Sequence, residues 1–155
     1  MPPHKSEDYT SLMHELKINL NNHNKFHEIV YLIHTDQYKE IDTIVNDNDT
    51  LLGLVQTIIN EIHAVGERLE QKLNSLIWLN EILLKFGEEA QSSITQAKQV
   101  LKTIHINIFD LEKEQIEKRT TKTLLRKELR KQPERRFPLT FAKEHESLRH
   151  FLITM

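Results

Sequence analysis

Cysteine is absent from the 155 residues, and glycine and proline are scarce, at three and four residues. Without cysteine there is no disulfide framework, no thiolate zinc site and no cysteine nucleophile. This composition fits a reducing compartment, and we expect a cytoplasmic protein. So little glycine and proline leaves few sheet turns, and the alternating β-branched pattern of strands is missing. The sequence therefore predicts an all-α fold, more than half helical and without a sheet.

Long apolar runs and catalytic motifs are also missing. No run reaches the roughly 20 residues of a membrane-spanning helix, and the polar residues 1–10 do not resemble a signal peptide. There is no glycine-rich phosphate loop, nucleophile elbow or dinucleotide fingerprint. We expect neither an enzyme nor a cofactor-binding protein.

The dominant feature is an apolar stripe over residues 51–111. Read in sevens, all nine residues of the series from Val55 and six of nine in the series from Leu51 are apolar. Composition alone would give about 7 of these 18 positions. The repeat predicts a long amphipathic helix whose stripe is an assembly surface. The predicted contact residues are Val55, Ile58, Ile62, Val65, Leu69, Leu76, Leu79, Leu83, Phe86, Val100, Ile104 and Leu111.

Further apolar residues widen this stripe beyond a two-stranded seam, which favours a coiled-coil or bundle assembly of three or four helices. The unbroken heptad phase favours one continuous helix over residues 49–132. Gly87 resembles a helix C-cap, so a hairpin at this point is the alternative. Trp78 and Phe109 lie off the main stripe, either as secondary packing or as a partner contact.

The stripe divides the chain into three segments. Residues 1–48 are predicted to form short helices that pack on the long helix, and residues 49–132 form that helix with a basic C-terminal part. Residues 133–155 are predicted to form an extended link, over 137–141, and a last short helix, over 142–153. Proline after a basic amphipathic run ends a helix, which sets the start of this last segment.

The N-terminal helices have their own boundary signals. A first helix is predicted from about Ser6 to Leu20, and a second over residues 25–45, with a cut near Thr35 because threonine caps helices well. The cluster of asparagine, aspartate and threonine over residues 46–50 predicts a turn before the long helix.

Residues 118–136 hold nine lysines and arginines against two glutamates. They fit a solvated helix end, a contact with an acidic protein surface or acidic lipids, or nucleic acid. The net charge of −2 and the lack of interleaved aromatics argue against nucleic acid. We expect contact with an acidic helix, in a second copy or folded back from the same chain. The predicted partner-binding residues are Arg126, Lys127, Arg130, Lys131, Arg135 and Arg136.

Histidines are the remaining candidates for chemistry. His145 and His150 are five residues apart, which puts their rings about 140° apart on a helix and excludes a shared zinc. His23, His27 and His34 fall within about 40° on an unbroken helix. Partly exposed histidines beside an apolar face are the simpler interpretation, so we expect no metal site.

Residues 80–86, a long amphipathic helix reaching residues 131–134, and the Phe-Pro-Leu-Thr-Phe run at 137–141 together resemble the KxDL-motif family. That family consists of small coiled-coil subunits of complexes that control lysosome-related organelles and endosomes. At the motif position, residues 113–116 keep the lysine and lack the aspartate and leucine. The resemblance implies a non-catalytic scaffold that assembles with other helical subunits.

The heptads lead to a similar expectation without the resemblance. They predict a non-catalytic scaffold or adaptor that forms a homo- or hetero-oligomer through helix packing. Two alternatives stay open: a self-contained helical bundle that acts as a microbial effector or chaperone on a partner protein, and a SNARE-like fusion helix. Peripheral contact with acidic membrane also stays open.

Overall fold

The computed structural model of the protein describes residues 8–46, 48–113, 118–119, 121–142 and 145–151. Most described residues are helical, which confirms the all-α fold class. The described α-helices are α1 (Tyr9–Leu20), α2 (His23–His34), α3 (Ile41–Ile44), α4 (Asp49–Leu73), α5 (Leu76–Lys85), α6 (Ile94–Thr103), α7 (Lys122–Lys131), α8 (Leu139–Ala142) and α9 (Glu146–Phe151). Short 3₁₀ turns lie at Tyr38–Glu40, Ile108–Asp110 and Pro133–Arg135.

One minimal strand pair departs from the predicted absence of a sheet. Strand β1 (His105–Ile106) pairs antiparallel with β2 (Lys118–Arg119). With two residues in each strand, the pair forms no layer of the fold. The pairing holds residues 118–119, shortly before α7, against residues 105–106.

Capping side chains explain where the helices begin. Every described helix of ten or more residues has an N-cap side chain that accepts a backbone N–H of its first turn: Asp8, Asn22, Asn48, Ser75, Ser93 and Thr121. Such a cap stabilises a helix by about 1 kcal/mol. Asn21, Asp36 and Asn46 take positive φ angles just after the first three helices. The predicted helix end near Leu20 and the predicted cut near Thr35 are both confirmed.

The predicted continuous helix over residues 49–132 is wrong, because α4 ends before Asn74. Asn74 and Ser75 carry polar side chains that compete for helical backbone groups. The Asn74 amide donates to the Glu70 carbonyl at 2.8 Å, and Ser75 Oγ accepts the N–H of Trp78 at 3.3 Å. Helix α5 starts directly after this two-residue interruption, so the heptad phase continues although the helix does not.

The alternative break at Gly87 is confirmed as the end of α5. Gly87 has a φ of 75°, a conformation that costs glycine little. The N–H of Glu88 donates to the Leu83 carbonyl at 3.0 Å, and the N–H of Gly87 donates to the Leu84 carbonyl at 3.1 Å. These are the two bonds of a Schellman motif. The chain then returns as α6, which packs against α5 as a helical hairpin.

Helix α4 is the centre of the core and contacts α1, α5, α8 and α9. Fully burying one aliphatic side chain contributes about 1.5–3 kcal/mol. The wide stripe therefore stabilises a fold of this chain alone. The residues that α4 buries are Val55, Ile58, Ile59, Ile62, Val65, Gly66, Leu69 and Leu73.

The C-terminal segment packs back onto α4. Helix α7 ends before Pro133, as predicted. The extended link predicted over residues 137–141 is partly wrong, because α8 occupies much of it. The last helix, predicted over 142–153, is present as the shorter α9, and residues 152–155 lie outside the described part of the chain.

Gly66 allows this close approach to α4. A Cβ atom at Gly66 would lie 3.2 Å from the His145 ring and 3.3 Å from the Phe137 ring. A larger residue would push the C-terminal segment away from α4, so the absent side chain is a packing feature here.

Candidate functional site

The predicted interaction stripe lies mostly inside the chain. Leu76, Phe86 and Val100 are half-buried and pack against the core. The interruption at 74–75 and the turn at Gly87 fold the chain's own helices onto the stripe. The prediction of an assembly surface is therefore corrected for the buried positions, which are Val55, Ile58, Ile62, Val65, Leu69, Leu79, Leu83, Ile104 and Leu111.

A different apolar surface lies on the outer face of α5. Ile77 and Leu84 are 76% and 61% exposed, whereas Leu79 and Leu83 on the opposite side are fully buried. Residues seven apart share a helix face, about 10 Å apart along the axis. Glu81 lies between the two apolar residues and is exposed. We name Ile77, Glu81 and Leu84 the α5 ridge.

The heptad frame missed this surface because Ile77 and Leu84 follow the stripe positions by one residue, where polar residues are expected. A signal was present, since seven of the ten α5 residues are apolar. That number exceeds what one buried side of a ten-residue helix needs. A helix that is apolar on two sides is either covered on both or offers one of them to a partner.

Helix α7 carries a basic counterpart. Its inner side is buried through Leu125, while Leu124 remains 44% exposed. Lys127, Glu128 and Lys131 line a shallow groove of about 320 Å³ together with Leu124. We name Leu124, Lys127 and Lys131 the α7 ridge.

The six cations predicted to bind a partner do not share one surrounding. Arg135 is engaged within the chain, since its guanidinium donates to Asp110 at 3.2 Å and to Glu128 at 3.0 Å. Arg136 Nε donates to the Leu129 carbonyl at 3.3 Å. Only part of the predicted set is exposed: Lys127, Arg130 and Lys131 are exposed, whereas Arg126, Arg135 and Arg136 are half-buried.

A polar cluster fastens α9 and α6 to the end of α4. The Glu70 carboxylate accepts the N–H groups of Ser147 at 3.1 Å and Leu148 at 3.0 Å. Burial alone would raise the pKa of Glu70, but these N–H groups outweigh it and hold that pKa below its ordinary value. Lys98 Nζ donates to Ser147 Oγ at 2.9 Å and to Asn74 Oδ1 at 3.2 Å. Some enzymes pair a serine with a lysine. The Ser147 hydroxyl is buried within this polar cluster, so we interpret the cluster as a structural connection between α4, α6 and α9 and name it the clasp.

An ion network holds residues 108–113 against α4. Arg68 donates from two nitrogens to Glu112, at 3.0 Å each, and from Nη2 to Glu61 at 3.1 Å. Lys72 Nζ adds a 2.7 Å bond to Glu112. Burial would raise the pKa of Glu112, but Arg68 and Lys72 outweigh it and lower that pKa. Arg68 and Lys72 are therefore both paired with carboxylates of the same chain.

The three N-terminal histidines do not meet at one point. The His23 and His27 rings lie 4.2 Å apart between centroids. The two ring nitrogens of His34 instead lie within hydrogen-bond distance of the Val30 and Arg136 carbonyl oxygens, at 2.8 and 3.2 Å. Burial lowers the pKa of His34. Among the described residues, no group of three or more histidine or carboxylate side chains is placed to hold a metal ion.

The two off-stripe aromatic residues support the core. Trp78 is half-buried and packs against it. Phe109 stacks on Tyr9, with ring centroids 3.8 Å apart and an angle of 4° between the rings. The Tyr9 hydroxyl donates to the Glu134 carbonyl, which ties α1 to the segment after α7. These contacts favour secondary packing over a partner contact for both residues.

No family model, no curated protein and no solved structure matches this chain. The resemblance to the KxDL-motif family therefore stays a prediction. Residues 114–116 of its motif position, and the side chain of His150, lie outside the described part of the chain. Within the described ranges, no helix is long and apolar enough to cross a membrane.

Proposed function

We propose that this chain is a non-catalytic, self-contained helical module that binds a protein partner through the α5 ridge. The observation that carries the proposal is the exposure of Ile77, at 76%, and Leu84, at 61%, on one helix face. Single exposed apolar residues are common on protein surfaces. A cluster of large ones beside polar residues is more typical of a contact site.

The burial of the stripe supports a self-contained module over an elongated scaffold. A rod needs partner chains to cover its stripe, whereas α4 is covered by helices of the same chain. The breaks at residues 74–75 and at Gly87 give a SNARE-like helix no support. An adaptor within a larger complex, including the endosomal or lysosomal kind that the resemblance implies, remains compatible with a single docking ridge. The lack of cysteine supports a cytoplasmic location.

The α5 ridge also indicates the chemistry of its partner. Glu81 lies within the ridge, and Glu88 and Glu89 follow its end, so its border is mainly acidic. A helix with an apolar strip and basic flanks would complement it in both respects. Covering Ile77 and Leu84 would contribute on the order of 2–4 kcal/mol, before the entropy lost on association is subtracted.

The experiment places a photocrosslinking amino acid at position 77 or 84, with position 18 as the control. Ile18 suits this role because it is 60% exposed on a different helix, α1. In cells of the native source, we expect defined adducts from positions 77 and 84 and none of these from position 18. Mass spectrometry then identifies each adduct. Identical adduct patterns from positions 77 and 18 would contradict the proposal.

A substitution pair tests the same contact without a crosslinker. Ile77→Asp with Leu84→Asp should abolish co-purification of the crosslinked protein, whereas Ile18→Asp should retain it. All three positions are exposed, so the circular dichroism spectrum and the melting temperature should stay close to wild type. Retained binding by the double variant would place the contact elsewhere on the surface.

A further inference from the structure

We infer that the α5 ridge binds the α7 ridge of a second copy of this chain. The inference rests on the proposed function and adds the identity of one partner. It requires that both ridges be exposed in the same molecule, since ridges that covered each other within one chain would leave nothing to pair between copies. Ile77 and Leu84 on α5, and Leu124 on α7, are among the large apolar residues that remain exposed.

The two ridges carry opposite charge. Glu81 stands within the α5 ridge, and Glu88 and Glu89 follow the end of α5, against one exposed lysine of that helix, Lys85. Helix α7 (Lys122–Lys131) has five basic residues against one acidic residue. Lys127 and Lys131 belong to its ridge and are exposed. Opposite potentials of this kind favour an encounter between the two surfaces and disfavour α7 against α7 or α5 against α5.

The two ridges also have the same length. Ile77 and Leu84 are seven residues apart, and so are Leu124 and Lys131, which gives about 10 Å on both helices. Leu124 can pack between the two apolar side chains of α5, and Lys127, about 4.5 Å further along α7, can then reach Glu81. The groove beside Leu124, about 320 Å³, offers room for an apolar side chain of the opposing helix. Lysine stems lie along such an apolar strip while their ammonium groups reach carboxylates.

Because the ridges are different surfaces, the contact joins the head of one copy to the tail of the next. Such an interface gives a closed ring, a reciprocal pair or an open chain, depending on the angle between successive copies. Its charged part is screened at physiological salt over about 8 Å. Association should therefore increase with protein concentration and decrease with salt.

The test is sedimentation of the full chain at increasing concentration, at low and high salt, with two charge-reversed variants. One variant carries Glu81→Lys with Glu88→Lys, and the other carries Lys127→Glu with Lys131→Glu. Each variant alone opposes like charges at the interface. Its association should therefore be at least about tenfold weaker than that of the wild type. An equimolar mixture restores opposite charges in both pairings, so association should return. Glu40→Lys with Asp42→Lys, exposed residues outside both ridges, is the matched control and should behave like wild type.

The results separate this inference from the proposed function. Wild-type chains that stay monomeric up to about 1 mM, or a variant mixture that associates no better than its components, would overturn self-association. In either case, adducts to another protein from position 77 would leave the proposed function intact. Monomeric chains without such adducts would remove both proposals.

Discussion

Helices α4 and α5 follow each other across two residues, yet their apolar residues have different fates. The apolar side of α4 is covered by α1, α5, α8 and α9. Helix α5 is apolar on two sides, and α6 and the end of α4 cover only one of them. Leu83 and Leu84 show the contrast directly, because they are adjacent and are 0% and 61% exposed. The residue type is the same, so the neighbouring helices decide whether a leucine supports the fold or offers a contact.

The largest expected effect comes from placing a charge on each side of α5. Leu83→Asp would bury an unpaired carboxylate and should lower the free energy of unfolding by about 3–5 kcal/mol. Leu84→Asp should change it by less than about 0.5 kcal/mol, because the carboxylate stays in water. Denaturant unfolding followed by circular dichroism measures both. Similar losses for the two variants would mean that α5 is covered on both sides.

A smaller effect is expected from acid, through the carboxylate that α4 provides to the clasp. The pKa of Glu70 in the folded protein lies below its ordinary value of 4.5. Its contribution to stability is complete above that value and is lost as pH falls through the folded-state pKa, because the unfolded chain then binds the proton more readily. Melting temperatures measured from pH 7 downward should show this loss, and Glu70→Gln should reduce it.

Glu67 provides the control for the acid measurement, because it is exposed, lies on α4 as Glu70 does and belongs to neither ridge. Glu67→Gln should leave the acid-dependent part of the melting curve as in wild type. An equal change for Glu70→Gln and Glu67→Gln would indicate that the clasp does not hold α9 on α4.

The smallest expected effect compares two glycines of α4. Gly53 has no atom within 4 Å of an added Cβ, so Gly53→Ala should stabilise the helix by about 0.5–1 kcal/mol. At Gly66 the added Cβ would press on the His145 and Phe137 rings, so Gly66→Ala should gain less or become destabilising. Thermal unfolding of the two variants measures the difference. Equal stabilisation by Gly53→Ala and Gly66→Ala would show that the C-terminal segment can move away from α4 at little cost in free energy.

Sequence patterns predicted the helical class and the apolar residues well, because burial on one face imposes a helical repeat. Prediction failed where a short polar interruption keeps that repeat in phase, as at Asn74 and Ser75. The candidate site was missed for a related reason. A heptad frame assigns Ile77 and Leu84 to the outside of the helix, but it does not predict that they form an exposed apolar surface. The α7 ridge was predicted in part, because basic charge is visible in sequence whereas the internal pairing of Arg135 is not.

The order of residues along the chain accounts for the helices, their caps and the composition of the core, since these depend on contacts within a few residues. It does not say which helix covers which face, because that depends on where distant segments return. Folding at residues 74–75 and at Gly87 turned a predicted assembly stripe into an internal core. The same folding left Ile77 and Leu84 in water, so the exposed apolar face of α5, on which the proposed contact rests, became evident only from the packed helices.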